Sequence, residues 1–125
     1  MSLEIIELHH VNVTVPQALE EATKHFYGSI LGLAQLQKPE GSRTRVGAWY
    51  QLGAVQLHLS IEDEVDNQAS DRHVCYLVRD VVDAAQHFRA AGVVVIPDPR
   101  PIPGRPRIYV RDPGGNLIEI AEMLE

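Results

Sequence analysis

A chain of 125 residues can bury one domain-sized core, or two small units sharing an interface, but either half alone has only a thin core. A hydrophobic share of 45% beside 22% charged residues excludes a disordered or fibrous chain. Seventeen acidic against eleven basic residues leave a formal net charge of -6, which argues against a nucleic-acid partner, because a phosphate backbone asks for a basic face.

From Ile5 to Val15 the chain reads as a strand, with Val11, Val13 and Val15 on one face and Leu8, His10, Asn12 and Thr14 on the other. Pro16 stops it. Leu19, Ala22, Phe26 and Ile30 then recur at spacings of three and four, which predicts a helix with one stripe against a sheet, ended at Gly32. Leu33 to Gln37 suits a short strand, Lys38 to Arg43 a polar turn, and Val46 to Leu52 and Ala54 to Ser60 two strands around Gly53. The acidic stretch Glu62 to Asp71 divides the chain nearly in half, with a linker at Asp66 to Ser70.

The second half repeats this order. His73 to Val78 is a strand; Asp80 can cap a helix whose apolar side is Ala84, Ala85, Phe88 and Ala91, with Gly92 at its end. Val93 to Ile96, Arg107 to Arg111 and Leu117 to Ala121 are three more strands, the last two joined by a turn at Asp112 to Asn116. Between them Pro97 to Pro106 holds five prolines, which forbid a regular interior helix or central strand. This segment is a stiff connection, or a preorganised rim from which Arg100 or Arg105 meets a substrate.

The halves match in detail as well as in order. His10 and His73 each precede a valine in a first strand, at an offset of 63; His58 and Glu119 each sit between aliphatic residues near a module's end, at an offset of 61. An internal duplication follows, with modules at about 5–62 and 71–123 within one domain of 1–125. Alternation then sets His10, His73, His58 and Glu119 on the sheet faces opposite the helices, where three imidazoles and a carboxylate are suitable ligands for a divalent ion. A carboxylate between Ile118 and Ile120 must reach water or find a compensating cation. His9, His25 and His87 read as surface or packing residues. Cys75, Asn12 and Tyr109 are candidates to line the pocket, and Trp49 and Tyr50 serve either as stacking surfaces or as sheet packing.

The single cysteine cannot form an internal disulfide, which fits a reducing compartment. No basic region followed by an apolar run opens the chain, and no apolar stretch has the length of a membrane helix, so a cytoplasmic location and no membrane partner are expected.

Leu8-His9-His10-Val11, Phe26-Tyr27-Gly28-Ser29-Ile30-Leu31-Gly32-Leu33, His73-Val74 and Asp112-Pro113-Gly114-Gly115-Asn116-Leu117-Ile118-Glu119 together resemble the vicinal oxygen chelate superfamily of glyoxalases, bleomycin resistance proteins and extradiol dioxygenases. The resemblance covers nearly the whole chain. It implies an α+β fold of two tandem βαβββ modules with curved mixed sheets, completed by homodimerisation. It also implies a divalent metal ion (Ni, Co, Zn, Mn or Fe) held by His10, His58, His73 and Glu119, and a small-molecule substrate with neighbouring oxygens. The leading expectation is a glyoxalase-like lyase or isomerase with Glu119 as catalytic base. The alternatives are an extradiol dioxygenase-like enzyme on His10, His73 and Glu119, a thiol-transferase resistance enzyme, and a non-catalytic drug or metabolite-binding protein. Glyoxalase-like sites commonly carry a second glutamate where this chain has His58. Three neutral imidazoles and one carboxylate leave a divalent ion near +1, favouring anionic oxygen ligands and supplying fewer bases.

Overall fold

The computed structural model describes residues 2–42 and 46–124, so Arg43, the end of the expected polar turn, lies outside the described residues. The chain divides into two compact units, one up to Asp63 and the other from Glu64. Among the described residues no helix is long and apolar enough to cross a membrane.

In the first unit, strand β1 (His10–Val15) enters a helical stretch, and β2 (Ala34–Leu36), β3 (Ala48–Leu52) and β4 (Val55–Ile61) follow. The sheet order is β1-β4-β3-β2, with β1 parallel to β4 and the other pairs antiparallel. The strand expected from Ile5 begins instead at His10. Among the described residues its one neighbour is β4, which starts at Val55, and the hydrogen bond at that end runs from Gln56 N–H to the His9 carbonyl, with no described strand paired to the residues before it.

The helical stretch is three short pieces: a 3-10 turn at Gln17–Leu19, the α-helix α1 at Glu20–His25, and a π turn at Phe26–Ile30. The wider π turn lets adjacent Phe26 and Tyr27 both bury, each 1% exposed. They pack with Val15, Ala48, Tyr50, Leu57 and Leu59 as the core of this unit. Gly32 ends the stretch at φ +73, as an αL terminator should.

The second unit has β5 (His73–Val78), α2 (Val81–Ala90), β6 (Ile96–Pro97), β7 (Arg107–Arg111) and β8 (Leu117–Glu122) in the order β5-β8-β7-β6. Asp80 caps α2, its carboxylate accepting from the Val82 and Asp83 amides at 2.9 and 3.1 Å. Val81, Ala85 and Phe88 of α2 are buried together with Tyr76, Val110, Ile118 and Ile120. Of the expected strand Val93 to Ile96, only Ile96 pairs, continuing to Pro97 against Tyr109 and Ile108 of β7. Proline is tolerated there because β6 is the sheet's edge. Each unit is thus a four-stranded mixed sheet flanked by a helix, the tandem βαβββ arrangement.

Candidate functional site

Strand pairing makes the duplication geometric. On β1 and β4, His10 stands opposite Gln56 and Asn12 opposite His58; on β5 and β8, His73 stands opposite Leu117 and Cys75 opposite Glu119. Trp49 of β3 pairs with His58, and Tyr109 of β7 pairs with Glu119. His58 and Glu119 therefore occupy equivalent positions, as do Trp49 and Tyr109. The neighbours of His58 and Glu119, Leu57 and Leu59 or Ile118 and Ile120, are buried, as are Ala48 and Tyr50 beside Trp49 and Val110 beside Tyr109, which turns these four side chains to the other face.

In the first unit the imidazole of His58 lies between two rings. Trp49 stacks on one side at 4.0 Å and an interplanar angle of 3°, and His10 on the other at 4.0 Å and 12°. His58 is 7% exposed, and burial, followed by the neighbouring imidazoles of His10 and His9, holds its pKa below the ordinary histidine value. Its Nε2 donates to Gln56 Oε1 at 2.9 Å. That bond fixes the tautomer and leaves Nδ1 as the ring's lone pair. Nδ1 of His10 lies 2.9 Å from Nδ1 of His9, and Asn12 Oδ1 accepts from Ser60 Oγ at 2.7 Å.

In the second unit His73 Nε2 lies 3.1 Å from Glu119 Oε1, with side-chain exposures of 38% and 13%. His73 Nδ1 donates to the Asp71 carbonyl at 2.8 Å. A neutral ring so fixed presents its Nε2 lone pair to a carboxylate, an arrangement that calls for a cation between them: a proton, making an ion pair, or a metal ion. Glu119 also receives the Tyr109 hydroxyl at 3.5 Å, and its Oε2 lies 3.7 Å from Arg107 Nη1. Burial first, and Glu119 second, raise the pKa of Tyr109, so the phenol stays a donor.

Cys75 lies beside Glu119, and its thiol is pushed up to about 11, chiefly by burial and then by the Glu119 charge. It does not have the character of an activated nucleophile, which needs a depressed pKa. Of the two aromatics on β3, Trp49 belongs to the polar face and Tyr50, fully buried, to the core.

The four expected ligands thus come as two pairs, His10 with His58 and His73 with Glu119, one in each unit. Among the described residues no group of three or more histidine, cysteine, aspartate or glutamate side chains is placed to hold a metal ion. In the sequence Arg107 and Arg111 belong with Arg100 and Arg105 to a late cluster of arginines that suits either an anionic small molecule or solvated loop charges; the alternation of Arg107, Tyr109 and Arg111 along β7 puts these three on the face of Glu119.

A family model described as the Glyoxalase/Bleomycin resistance protein/Dioxygenase superfamily matches residues 7–120. A solved structure of a glyoxalase family protein from Bacillus anthracis is 32% identical, with a TM-score of 0.86, covering 99% of this chain and 100% of that one. Lactoylglutathione lyase from Agrobacterium tumefaciens is similar at 22% identity and TM-score 0.73, covering 95% of each chain. A genomically encoded fosfomycin resistance protein from Listeria monocytogenes is similar at 17% identity and TM-score 0.79, covering 97% of this chain and 94% of that one. The last two likenesses show the fold alone. No curated protein matches the chain in sequence.

Proposed function

The chain belongs to the glyoxalase/bleomycin resistance protein/dioxygenase superfamily, and from that premise we propose a metal-dependent, glyoxalase-like lyase or isomerase acting on a small substrate with neighbouring oxygens. The observation that carries the proposal is the His73–Glu119 pair at 3.1 Å, with the other histidine nitrogen already given to the Asp71 carbonyl. Metal-bound histidines characteristically anchor their outer nitrogen in this way. His58 supports the same reading, since its Nε2 is held by Gln56 and its Nδ1 is left over. Three imidazoles and one carboxylate suit Zn, Ni, Co, Mn or Fe.

In this proposal His10, His58, His73 and Glu119 hold the ion. The two pairs lie in different units, so the proposal requires both to reach one centre, within a copy or across the homodimer that the resemblance implies. When bound, the ion supplies Lewis-acid polarisation of the substrate's oxygens. Glu119, released from the ion, would remove the proton from the substrate carbon that bears the hydroxyl and return it to the adjacent carbonyl carbon, while the hydroxyl proton would pass to the former carbonyl oxygen, which leaves the atoms balanced for an isomerisation. The Tyr109 hydroxyl, kept protonated, donates to the carboxylate or to a substrate oxygen. Arg107 supports the carboxylate's other oxygen. To act directly, Glu119 must come within roughly 3 Å of the carbon-bound proton.

Solvent exchange tests this chemistry. Metal-loaded protein incubated in deuterium oxide with a panel of α-hydroxycarbonyl compounds and hemithioacetals should wash deuterium into the reacting carbon. Glu119→Gln should abolish the wash-in by at least a hundredfold. Turnover of a panel member with no wash-in and no loss in Glu119→Gln would sink the base assignment. A second reading is supported by the same pair: with both nitrogens of His73 protonated, the His73–Glu119 contact is a satisfied ion pair, as a non-catalytic binding protein would need. Tight ligand binding by metal-free protein without turnover would favour it.

A further inference from the structure

The second unit holds an open cavity of about 480 Å³ beside the His73–Glu119 pair, lined on its polar side by Arg100, Arg107, Arg111, Tyr109 and His73. Three of the chain's eleven basic residues converge there in a protein of net charge -6. Against them the wall has one carboxylate, Asp71. Leu117 with Ile96 and Pro99 supplies an apolar surface.

The three guanidiniums are not equally engaged. Arg107 is an internal strut: its Nε donates to Asp98 Oδ2 at 2.7 Å and its Nη2 to the Arg100 carbonyl at 3.1 Å. The same Asp98 accepts the Arg100 amide at 2.9 Å, so the proline-rich loop is pinned where Arg100 emerges. Arg111 donates from Nη1 to the Gly115 and Asn67 carbonyls at 2.8 and 3.3 Å. Those acceptors fix its direction but do not cancel its charge. The Arg100 side chain has no hydrogen-bond or ion-pair partner among the described residues. Two positive charges, one of them rigidly aimed, are therefore left without a carboxylate beside a hydrophobic wall.

We propose that this cavity is the anion subsite of the substrate: Arg100 and Arg111 take a carboxylate, phosphonate or phosphate group, and the apolar wall takes the carbon body that joins it to the reacting oxygens. A planar guanidinium matches such oxyanions with paired hydrogen bonds. The proposal rests on the metal-dependent reading for the position of the reacting oxygens, and it narrows the substrate class from any small oxygenated molecule to one with an additional anionic group.

Binding to chelator-treated, metal-free protein tests the subsite independently of the metal. Methylphosphonate, inorganic phosphate and acetate are titrated separately while amide shifts of the ¹⁵N-labelled protein are followed, with sodium chloride as the ionic-strength control. The expected result is saturable shifts at Tyr109, Arg111 and Leu117, weakened at least fivefold in Arg100→Gln and unchanged in Arg105→Gln, which lies outside this cavity. The more strongly bound of methylphosphonate and acetate tells a phosphorus oxyanion from a carboxylate. Absence of saturable shifts, shifts equal to those with chloride, or equal weakening by Arg100→Gln and Arg105→Gln would overturn the proposal. Metal content of the untreated preparation is measured alongside. A metal-free preparation that still shows the Arg100-dependent shifts keeps the subsite and removes the metal reading; a metal-bearing one without them does the reverse.

Discussion

Gly47 enters β3 at φ +81, and a Cβ there would lie 2.1 Å from the Leu59 carbonyl oxygen. That oxygen cannot retreat freely, because Leu59 is paired with Ala48 in the β3–β4 ladder. The Gly47 amide also donates to Glu20 Oε2 at 2.7 Å, tying the strand to α1. Gly47→Ala therefore combines a left-handed conformation, costing about 1–2 kcal/mol, with loss of a hydrogen bond to a charged acceptor, worth about 1.5–3 kcal/mol. The sum, roughly 2.5–5 kcal/mol, is a large part of a typical domain stability of about 5–15 kcal/mol. Gly53→Ala is the control. Gly53 has φ +57 with nothing within 4 Å of an added Cβ, so it should cost only the conformational part, about 1–2 kcal/mol. Urea unfolding followed by circular dichroism measures both, and with a slope of about 1–3 kcal/mol/M the Gly47→Ala midpoint should fall by about 1–5 M. If Gly47→Ala unfolds within about 0.5 kcal/mol of Gly53→Ala, the argument from close approach is refuted.

Trp49 is the chain's single tryptophan, and it stacks on His58, so its emission in metal-free protein should titrate with that imidazole. The midpoint should fall below the ordinary histidine value, because burial disfavours the charged ring, and His10→Ala should raise it by exposing the ring and removing a neighbouring positive charge; an upward-shifted midpoint in the wild type would contradict this. Cys75, with its thiol pushed up to about 11, should react with iodoacetamide in metal-free protein roughly a hundredfold more slowly at pH 8 than a free cysteine of pKa about 8.5. Mass spectrometry of the alkylated protein reads the rate, and an equal rate would show the thiol to be accessible and ionised. Asp80→Ala should cost about 1 kcal/mol through loss of the α2 cap, and an unchanged thermal midpoint would show the cap to be redundant.

Much of the fold was legible because its signals are local and periodic. The valines at 11, 13 and 15, the Asp80 cap and the Asp112 to Asn116 turn each act through near neighbours, and all stand where expected. What failed depended on partners. Ile5 to His9 has the composition of a strand but pairs with no strand among the described residues, and Val93 to Val95 likewise has no ladder among them. The π turn at Phe26–Ile30 was hidden because a stripe at spacings of three and four does not reveal where two adjacent aromatics must both turn inward.

Pairing of His73 with Glu119 could be read from the repeat, since the equivalent offsets predict adjacent strands. The Trp49–His58–His10 stack could not, because it depends on ring rotation, to which alternation is blind. The cationic wall was half legible. The late clustering of Arg100, Arg105, Arg107 and Arg111 stands in the sequence and Arg107 and Arg111 share a face by alternation, but the pinning of the Arg100 backbone beside Arg107 through Asp98 is a contact that no spacing encodes.

The most direct test of the central claim is the metal content of the wild type and of His10→Ala, His58→Ala, His73→Ala and Glu119→Ala, purified without chelator from metal-replete culture and measured by plasma mass spectrometry. The account predicts about one divalent ion per chain in the wild type, nearly none in His73→Ala and Glu119→Ala, and reduced occupancy in His10→Ala and His58→Ala, with all five proteins folded by circular dichroism. A metal-free wild type, or full occupancy in both His73→Ala and Glu119→Ala, would contradict it.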